Sequence, residues 1–134
     1  MEPTKNSSPN TPKRRVLVVD DNRDAATTLA LLLKLIGNDV HTRFDGQAGA
    51  EAAESWRPQV VILDISMPIM DGYQACQFIR GQPWGKAMTL IALSGYGQAD
   101  DIQRSIEAGF DAHLVKPVDL AVLKDLLASA LLPE

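Results

Sequence analysis

Four short apolar runs in this sequence each end on a residue able to do chemistry. RVLVVDD ends on Asp20 and Asp21, VVILD on Asp64, LIALS on Ser94, and AHLVK on Lys116, with Pro117 next. Carboxylates gathered in one place repel one another and raise one another's pKa. A hard divalent cation removes that conflict. Mg2+ takes oxygen ligands, usually one or two carboxylates completed by waters and a phosphate. Asp20, Asp21 and Asp64 are candidates for such a site. Asp64 is also a candidate nucleophile, since a carboxylate attacking phosphorus gives an aspartyl phosphate. Phosphoryl transfer depends on positioning and on neutralising the equatorial oxygens. The Lys116 ammonium and the Ser94 hydroxyl are donors of the kinds required.

Those residues meet only if the runs before them are parallel strands. The runs are short and rich in Val, Ile and Leu, as strands buried on both faces are. Strands are predicted near 15–20, 39–44, 59–64, 88–93 and 111–115. The second, DVHTRF, alternates apolar and polar residues like an edge strand, whereas VVILD is continuous like a central one. Between them lie amphipathic helical patterns. The first places Ala25, Leu29, Leu32, Leu33 and Ile36 on one face and stops at Gly37. An Ala-rich helix follows from about 47 to 55. A third starts after Asp71-Gly72, with Asp71 as a cap or turn residue, and shows Tyr73, Cys76 and Ile79 on one stripe. A fourth, near 98–108, uses Ile102 and Ile106. The last is capped by Asp119 and buries Leu120, Leu123, Leu126, Leu127 and Ala130.

Five such units predict an α/β three-layer sandwich. Right-handed crossovers leave few strand orders, and the flavodoxin-like order 2-1-3-4-5 puts the edge-like second strand outside the first. The switch point then lies between strands 1 and 3, where Asp20, Asp21 and Asp64 converge.

At 134 residues the chain suits one domain, expected over 14–132, after a proline-rich polar tail at 1–13. The net charge of -4 argues against non-specific nucleic-acid binding. No apolar stretch approaches the ~20 residues of a membrane helix. The start of the sequence lacks the apolar core of a secretory signal. A single cysteine, Cys76, has no disulfide partner in the chain, and a reducing cytoplasmic setting is expected.

The sequence resembles the receiver domain of two-component response regulators over about residues 14 to 131. The family pattern is an acidic pair after strand 1, an aspartate after strand 3 followed by x-x-M-P-x-x-D-G, a Ser or Thr after strand 4, and Lys-Pro after strand 5. Here these are Asp20-Asp21, the segment from Asp64 through Met67-Pro68 to Asp71-Gly72, Ser94-Gly95, and Lys116-Pro117. The resemblance implies that Asp64 is the phosphoacceptor. It implies Mg2+ held by Asp21, Asp64 and the Ser66 backbone carbonyl, with Asp20 acting directly or through water. Lys116 is implied to pair with Asp64 and then with the phosphoryl group, and Ser94 to move onto a phosphoryl oxygen. The Lys116–Pro117 bond is often cis in the family. The implied donor is a histidine kinase or a histidine phosphotransfer protein. The implied output partner, of unknown identity, docks through 98–131. The chain is then a signalling switch rather than an enzyme with its own turnover.

Two positions depart from the commonest pattern. The switch aromatic, usually Phe or Tyr three residues before the lysine, is His113. The stretch from Gly109 to Pro117 is most similar to receivers attached to hybrid histidine kinases. His113 is expected to swing inward and to make the output depend on pH, because histidine titrates near neutrality. Ser66 and Tyr96, two residues after Asp64 and Ser94, border the family's hydrolytic water route; one is small and the other bulky.

Other readings use the same residues. Asp21 alone is also a good cap for the first helix. A flavodoxin-like cofactor binder wants backbone and hydroxyl donors after strand 1, and two carboxylates there repel FMN phosphate. A Mg2+-dependent phosphatase with an aspartyl nucleophile often has Asp-x-Asp; the residue two past Asp64 is Ser66. A degenerate receiver binds partners without phosphate. No output domain follows Leu132 in this sequence, so a stand-alone receiver or a piece of a longer chain is expected.

Overall fold

A computed structural model describes residues 13–95 and 99–130. The tail expected at 1–13 lies outside these apart from Lys13, as do Tyr96 and residues 131–134. The elements alternate as the sequence predicts. They are β1 (Arg15–Val19), α1 (Arg23–Leu35), β2 (Asp39–Arg43), α2 (Gly46–Trp56), β3 (Val60–Asp64), α3 (Gly72–Arg80), β4 (Thr89–Ser94), α4 (Ala99–Ala108), β5 (Ala112–Val115) and α5 (Leu120–Ala130). A short 3-10 turn, Pro83–Gly85, precedes β4. The five strands form one parallel sheet in the order β2-β1-β3-β4-β5, as expected.

Side chains alternate across each strand, so the sheet feeds two cores. Leu17, Val19, Leu63, Leu90 and Ala92 pack with α2, α3 and α4 residues such as Ala53, Cys76, Ile79 and Ala108. Val16, Val18, Ile62, Ile91 and Leu114 pack with Leu29 and Leu33 of α1 and Leu123 and Leu127 of α5. Fully burying one such Val, Ile or Leu contributes about 1.5–3 kcal/mol. β3, wholly buried, lies between β1 and β4 and fixes where Asp64 emerges.

Two expected helix faces are turned. α1 buries Ala26, Leu29, Ala30 and Leu33, the i, i+3, i+4, i+7 set that meets the sheet. Ala25 and Leu32 lie to one side of that stripe, along a groove shared with Asp20 and Lys116. α4 departs further. Its predicted packing residues, Ile102 and Ile106, are 40% and 60% exposed, and the buried positions are Ser105 and Ala108. Burying Ser105 strands no polar atom, because its hydroxyl donates to the Ile102 carbonyl at 2.7 Å. The side chain of Ala130, expected to be buried, lies outside the described residues.

The entry to α3 is built on a close approach. Asp71 caps the helix and forms a reciprocal capping box with Gln74. Gly72 then sits against β3, where a Cβ would meet the Asp64 carbonyl oxygen at 2.5 Å and Ile65 Cα at 2.7 Å. Both obstacles are backbone. Gly72→Ala is therefore expected to lower stability by about 1–3 kcal/mol, measured as a lower denaturant midpoint. A midpoint equal to wild type contradicts this packing.

Candidate functional site

Asp20 follows β1 and is only 1% exposed. Its backbone N–H donates to the Arg43 carbonyl at 3.1 Å, and its Oδ1 accepts from the Asn22 N–H at 3.0 Å. Asp21 is exposed. It does not cap α1; Asn22 does, accepting from the Ala25 N–H at 3.0 Å. Asp21 is thus left free to face the same pocket. Asp64 ends β3 at 3% exposure, and its Oδ1 accepts from the Ser66 N–H at 3.1 Å. Carboxylate oxygens of Asp20, Asp21 and Asp64 all lie within 4.8 Å of one another.

Lys116 answers this charge. Its Nζ is 3.1 Å from Asp20 Oδ2 and 3.4 Å from Asp64 Oδ2. The backbone N–H of Lys116 donates to the Ser94 carbonyl at 2.8 Å, which ties the end of β5 to the end of β4. The Lys116–Pro117 bond is cis, as is common in the family the sequence resembles. In the β3–β4 register Asp64 faces Leu93, so Ser94 stands one residue beyond, at the same sheet edge. Asp20, Asp64, Ser94 and Lys116 are thereby brought together, with Asp21 beside them. Ser66 is the exposed residue two past Asp64, and Tyr96 lies outside the described residues.

The charges explain the ionisation of the site. Burial pushes the Asp64 carboxyl up to about 6. The Ser66 N–H pulls it down, the neighbouring Asp20 pushes it up, and Lys116 pulls it down. Burial works against the Lys116 ammonium, but its bond to Asp20 and the charge of Asp64 outweigh this and raise its pKa above the ordinary lysine value. One cation therefore does not neutralise three carboxylates. An all-oxygen donor set with residual negative charge fits a hard divalent cation such as Mg2+.

His113 is at the second position of β5, with its ring toward Ser94. Its Nε2 lies 2.8 Å from Ser94 Oγ. The residue that sequence reasoning missed is Ser105 on α4, whose Oγ is 3.4 Å from His113 Nδ1. The sequence held no signal for it, because the apolar residues of this helix, Ile102 and Ile106, drew the reading instead. Cys76 packs as expected, its thiol donating to the Ala108 carbonyl at 3.3 Å. Burial pushes that thiol up to about 12.

A five-stranded parallel sheet with an acidic pocket and a lysine at its switch point defines a class of phosphoryl-handling signalling domains. The family profile described as response regulator receiver domain matches residues 16–128. The chain belongs to that family. It is a receiver domain of two-component phosphorelay signalling. The transcriptional regulatory protein PrrA of Mycobacterium leprae is 38% identical over 109 residues, covering 81% of this chain and 46% of that protein. Protein PilG of Pseudomonas aeruginosa is 34% identical over 103 residues, covering 77% and 76%. The chain spans about half the length of the PrrA relatives it matches. Among solved structures, a receiver domain of a sensor histidine kinase from Pseudomonas aeruginosa matches with TM-score 0.81 and 30% identity, covering 88% and 97% of the two chains. That structure has a magnesium ion coordinated in its active-site cleft. A chemotaxis response regulator of Vibrio cholerae matches with TM-score 0.84 and 28% identity, covering 90% and 100%.

The raised Asp64 pKa makes a stability claim. The ordinary value is 3.8 and the folded value about 6. The ionised form therefore costs stability above about pH 6, and the cost is relieved as pH falls from there toward 3.8. In metal-free protein at neutral pH, Asp64→Asn is expected to stabilise by about 1 kcal/mol, or roughly 4 °C in melting temperature. The gain should disappear below about pH 4. A melting temperature unchanged or lowered at neutral pH contradicts it.

Proposed function

We propose that Asp64 accepts a phosphoryl group from a phosphohistidine donor, a histidine kinase or a histidine phosphotransfer protein. The observation that supports this most is the carboxylate cluster answered by a single ammonium, Lys116, bonded to both Asp20 and Asp64. In the transfer a carboxylate oxygen of Asp64 bonds to phosphorus. The bond from phosphorus to the donor nitrogen breaks, and the electron pair leaves with the imidazole. Mg2+, held by Asp20, Asp21, Asp64 and the Ser66 backbone carbonyl, would neutralise charge on the phosphoryl oxygens. Lys116 exchanges part of its pairing with Asp64 for the incoming phosphoryl group. Ser94, from the end of β4, donates its hydroxyl to a phosphoryl oxygen. Burial of Asp20 and Asp64 strengthens each of these electrostatic contacts.

The same reading makes the α4–β5–α5 side, 98–131, the output surface. Ile102 and Ile106 on α4, Val115 on β5 and Val122 on α5 are exposed apolar side chains there. Such residues suit a protein partner rather than nucleic acid. We also read the setting as cytoplasmic, the domain as 14–132, and the chain as a switch without separate substrate turnover. No helix among the described residues is long and apolar enough to cross a membrane. The phosphatase reading gains no support, because Ser66 stands where a second aspartate is wanted.

The test is to incubate the protein with Mg2+ and a small phosphodonor such as acetyl phosphate. An acid-stable, base-labile phosphate is expected, absent from Asp64→Asn and absent when Mg2+ is chelated. Ser94→Ala should slow labelling roughly 10–100-fold by removing one donor to the phosphoryl oxygens. Wild type that stays unlabelled, or Asp64→Asn that labels equally, sinks the proposal.

A further inference from the structure

The strands begin at the edge of the sheet opposite the phosphoryl site, about 15 Å from Asp64 at ~3.3 Å per residue along β3. At that edge the starts of β1, β3 and β4 are bonded in a row. The Gln59 N–H donates to the Arg15 carbonyl at 2.9 Å, and the Thr89 N–H donates to the Gln59 carbonyl at 3.0 Å. Beside the row lies a cleft of about 320 Å³, lined by Arg57, Pro58, Gln59, Trp84, Met88 and Thr89 among others. The Arg57 guanidinium carbon is 5.4 Å from the Trp84 ring centre. One wall is held from behind by Arg80, which donates to the carbonyls of Gly85 at 3.1 Å, Lys86 at 3.2 Å and Met88 at 2.7 Å. The cleft is therefore built before anything enters it.

Three cations surround it, and backbone carbonyls hold each of them. Arg15 Nη2 donates to the Arg57 carbonyl, Arg57 Nε to the Glu54 carbonyl at 2.6 Å, and Lys86 Nζ to the Arg80 carbonyl at 3.0 Å. A carbonyl positions a cation without neutralising it. Among the described residues the ion pairs are Arg80 with Asp111 and Lys116 with Asp20 and Asp64. Asp39 stands opposite Arg15 in the β1–β2 register, yet neither it nor the Glu54 carboxylate pairs with these cations. Arg15 Nε is buried with no hydrogen-bond partner, so this guanidinium is short of acceptors. Arg57 has φ 55, at the end of α2, where glycine is the usual residue. Capping accounts for the bonds of Arg57 and Lys86 to the ends of α2 and α3. It does not account for Arg15, nor for three unpaired cations beside one apolar cleft in a chain of net charge -4.

We propose that this cleft docks an acidic peptide segment of a partner protein, whose carboxylates meet Arg15, Arg57 and Lys86 while one apolar side chain enters beside Trp84 and Met88. Charge complementarity selects the carboxylates, since the three cations are already placed and lack counter-charges. The cleft sits at the low end of the ~300–1,000 Å³ range of small-molecule pockets, room for one anchoring side chain rather than a whole cofactor. Nucleic acid fits less well. Its bases need open aromatic faces, and here His41 stacks on Trp56 at 3.7 Å while Arg57 faces Trp84. The surface lies apart from Asp64, so it stands or falls separately from the phosphoryl reading.

The probe is a short synthetic peptide of Glu and Asp with one central Leu, titrated into the full chain. Both tryptophans, Trp56 and Trp84, lie at this edge, so intrinsic fluorescence reports on the cleft. A saturable change is expected. It should weaken about fivefold or more in Arg57→Asn, a residue that tolerates positive φ, and recover in Arg57→Lys. Asp64→Asn should bind as wild type does. A second measurement needs no variant to fold. In wild type the affinity should fall as salt is raised, and the largest amide shifts in nitrogen-15 spectra should fall at Arg57, Trp84 and Thr89. The absence of a saturable change, equal binding by Arg57→Asn, or an affinity indifferent to salt overturns the proposal. So do equal binding of a peptide with Lys in place of its acids and largest shifts on another surface. Tighter binding of single-stranded oligothymidine overturns the choice of a peptide as occupant.

Discussion

Two carboxylates, Asp20 and Asp64, emerge nearly without solvent from adjacent strands, and one ammonium answers both. Parallel pairing of β1 with β3 forces their proximity, since equivalent ends of parallel strands finish at one edge. The hydrophobic burial of Val16–Val19 and Val60–Leu63 is what holds the charges together against their repulsion. Much of the rest of the structure serves this constraint. The close seat of Gly72 on β3, the Asn22 cap and the bond from Lys116 to the Ser94 carbonyl each fix one group around the pair.

A pocket left short of positive charge favours whatever supplies it. A divalent cation does so directly. The site is therefore less stable empty than filled, and the sheet supplies the difference. Active sites commonly concentrate such unfavourable electrostatics, and raised carboxyl pKa values mark them. Here the mark falls on Asp64, the carboxylate read as nucleophile. The contact of His113 with Ser94 and Ser105 runs outward from the pocket. It joins the site to α4, on which Ile102 and Ile106 are exposed.

The strand ends were legible in the sequence because continuous apolar runs mark buried parallel strands, and the residue closing each run must lie at one shared edge. Strand order was legible because right-handed crossovers leave few choices. The faces of α1 and α4 were not. Periodicity finds an apolar stripe, but tertiary contacts decide which way it turns. On α4 the isoleucines form the stripe, and the sheet side takes Ser105 and Ala108 instead. Nor could spacing choose between Asp21 and Asn22 as the cap of α1, since both residue types serve equally well. Ser105 went unnoticed because a serine inside a helix carries no signal until its hydroxyl is seen to bond the Ile102 carbonyl.

The chemistry of the pocket turns on which atom receives the phosphoryl group. After exposure to acetyl phosphate and Mg2+, borohydride reduces an aspartyl phosphate to homoserine, and peptide mass spectrometry locates the change. The predicted result is homoserine at position 64, dependent on Mg2+. Reduction at Asp20 or Asp21, or phosphate retained on Ser66 or Ser94 with Asp64 unchanged, contradicts the assignment of Asp64 as acceptor.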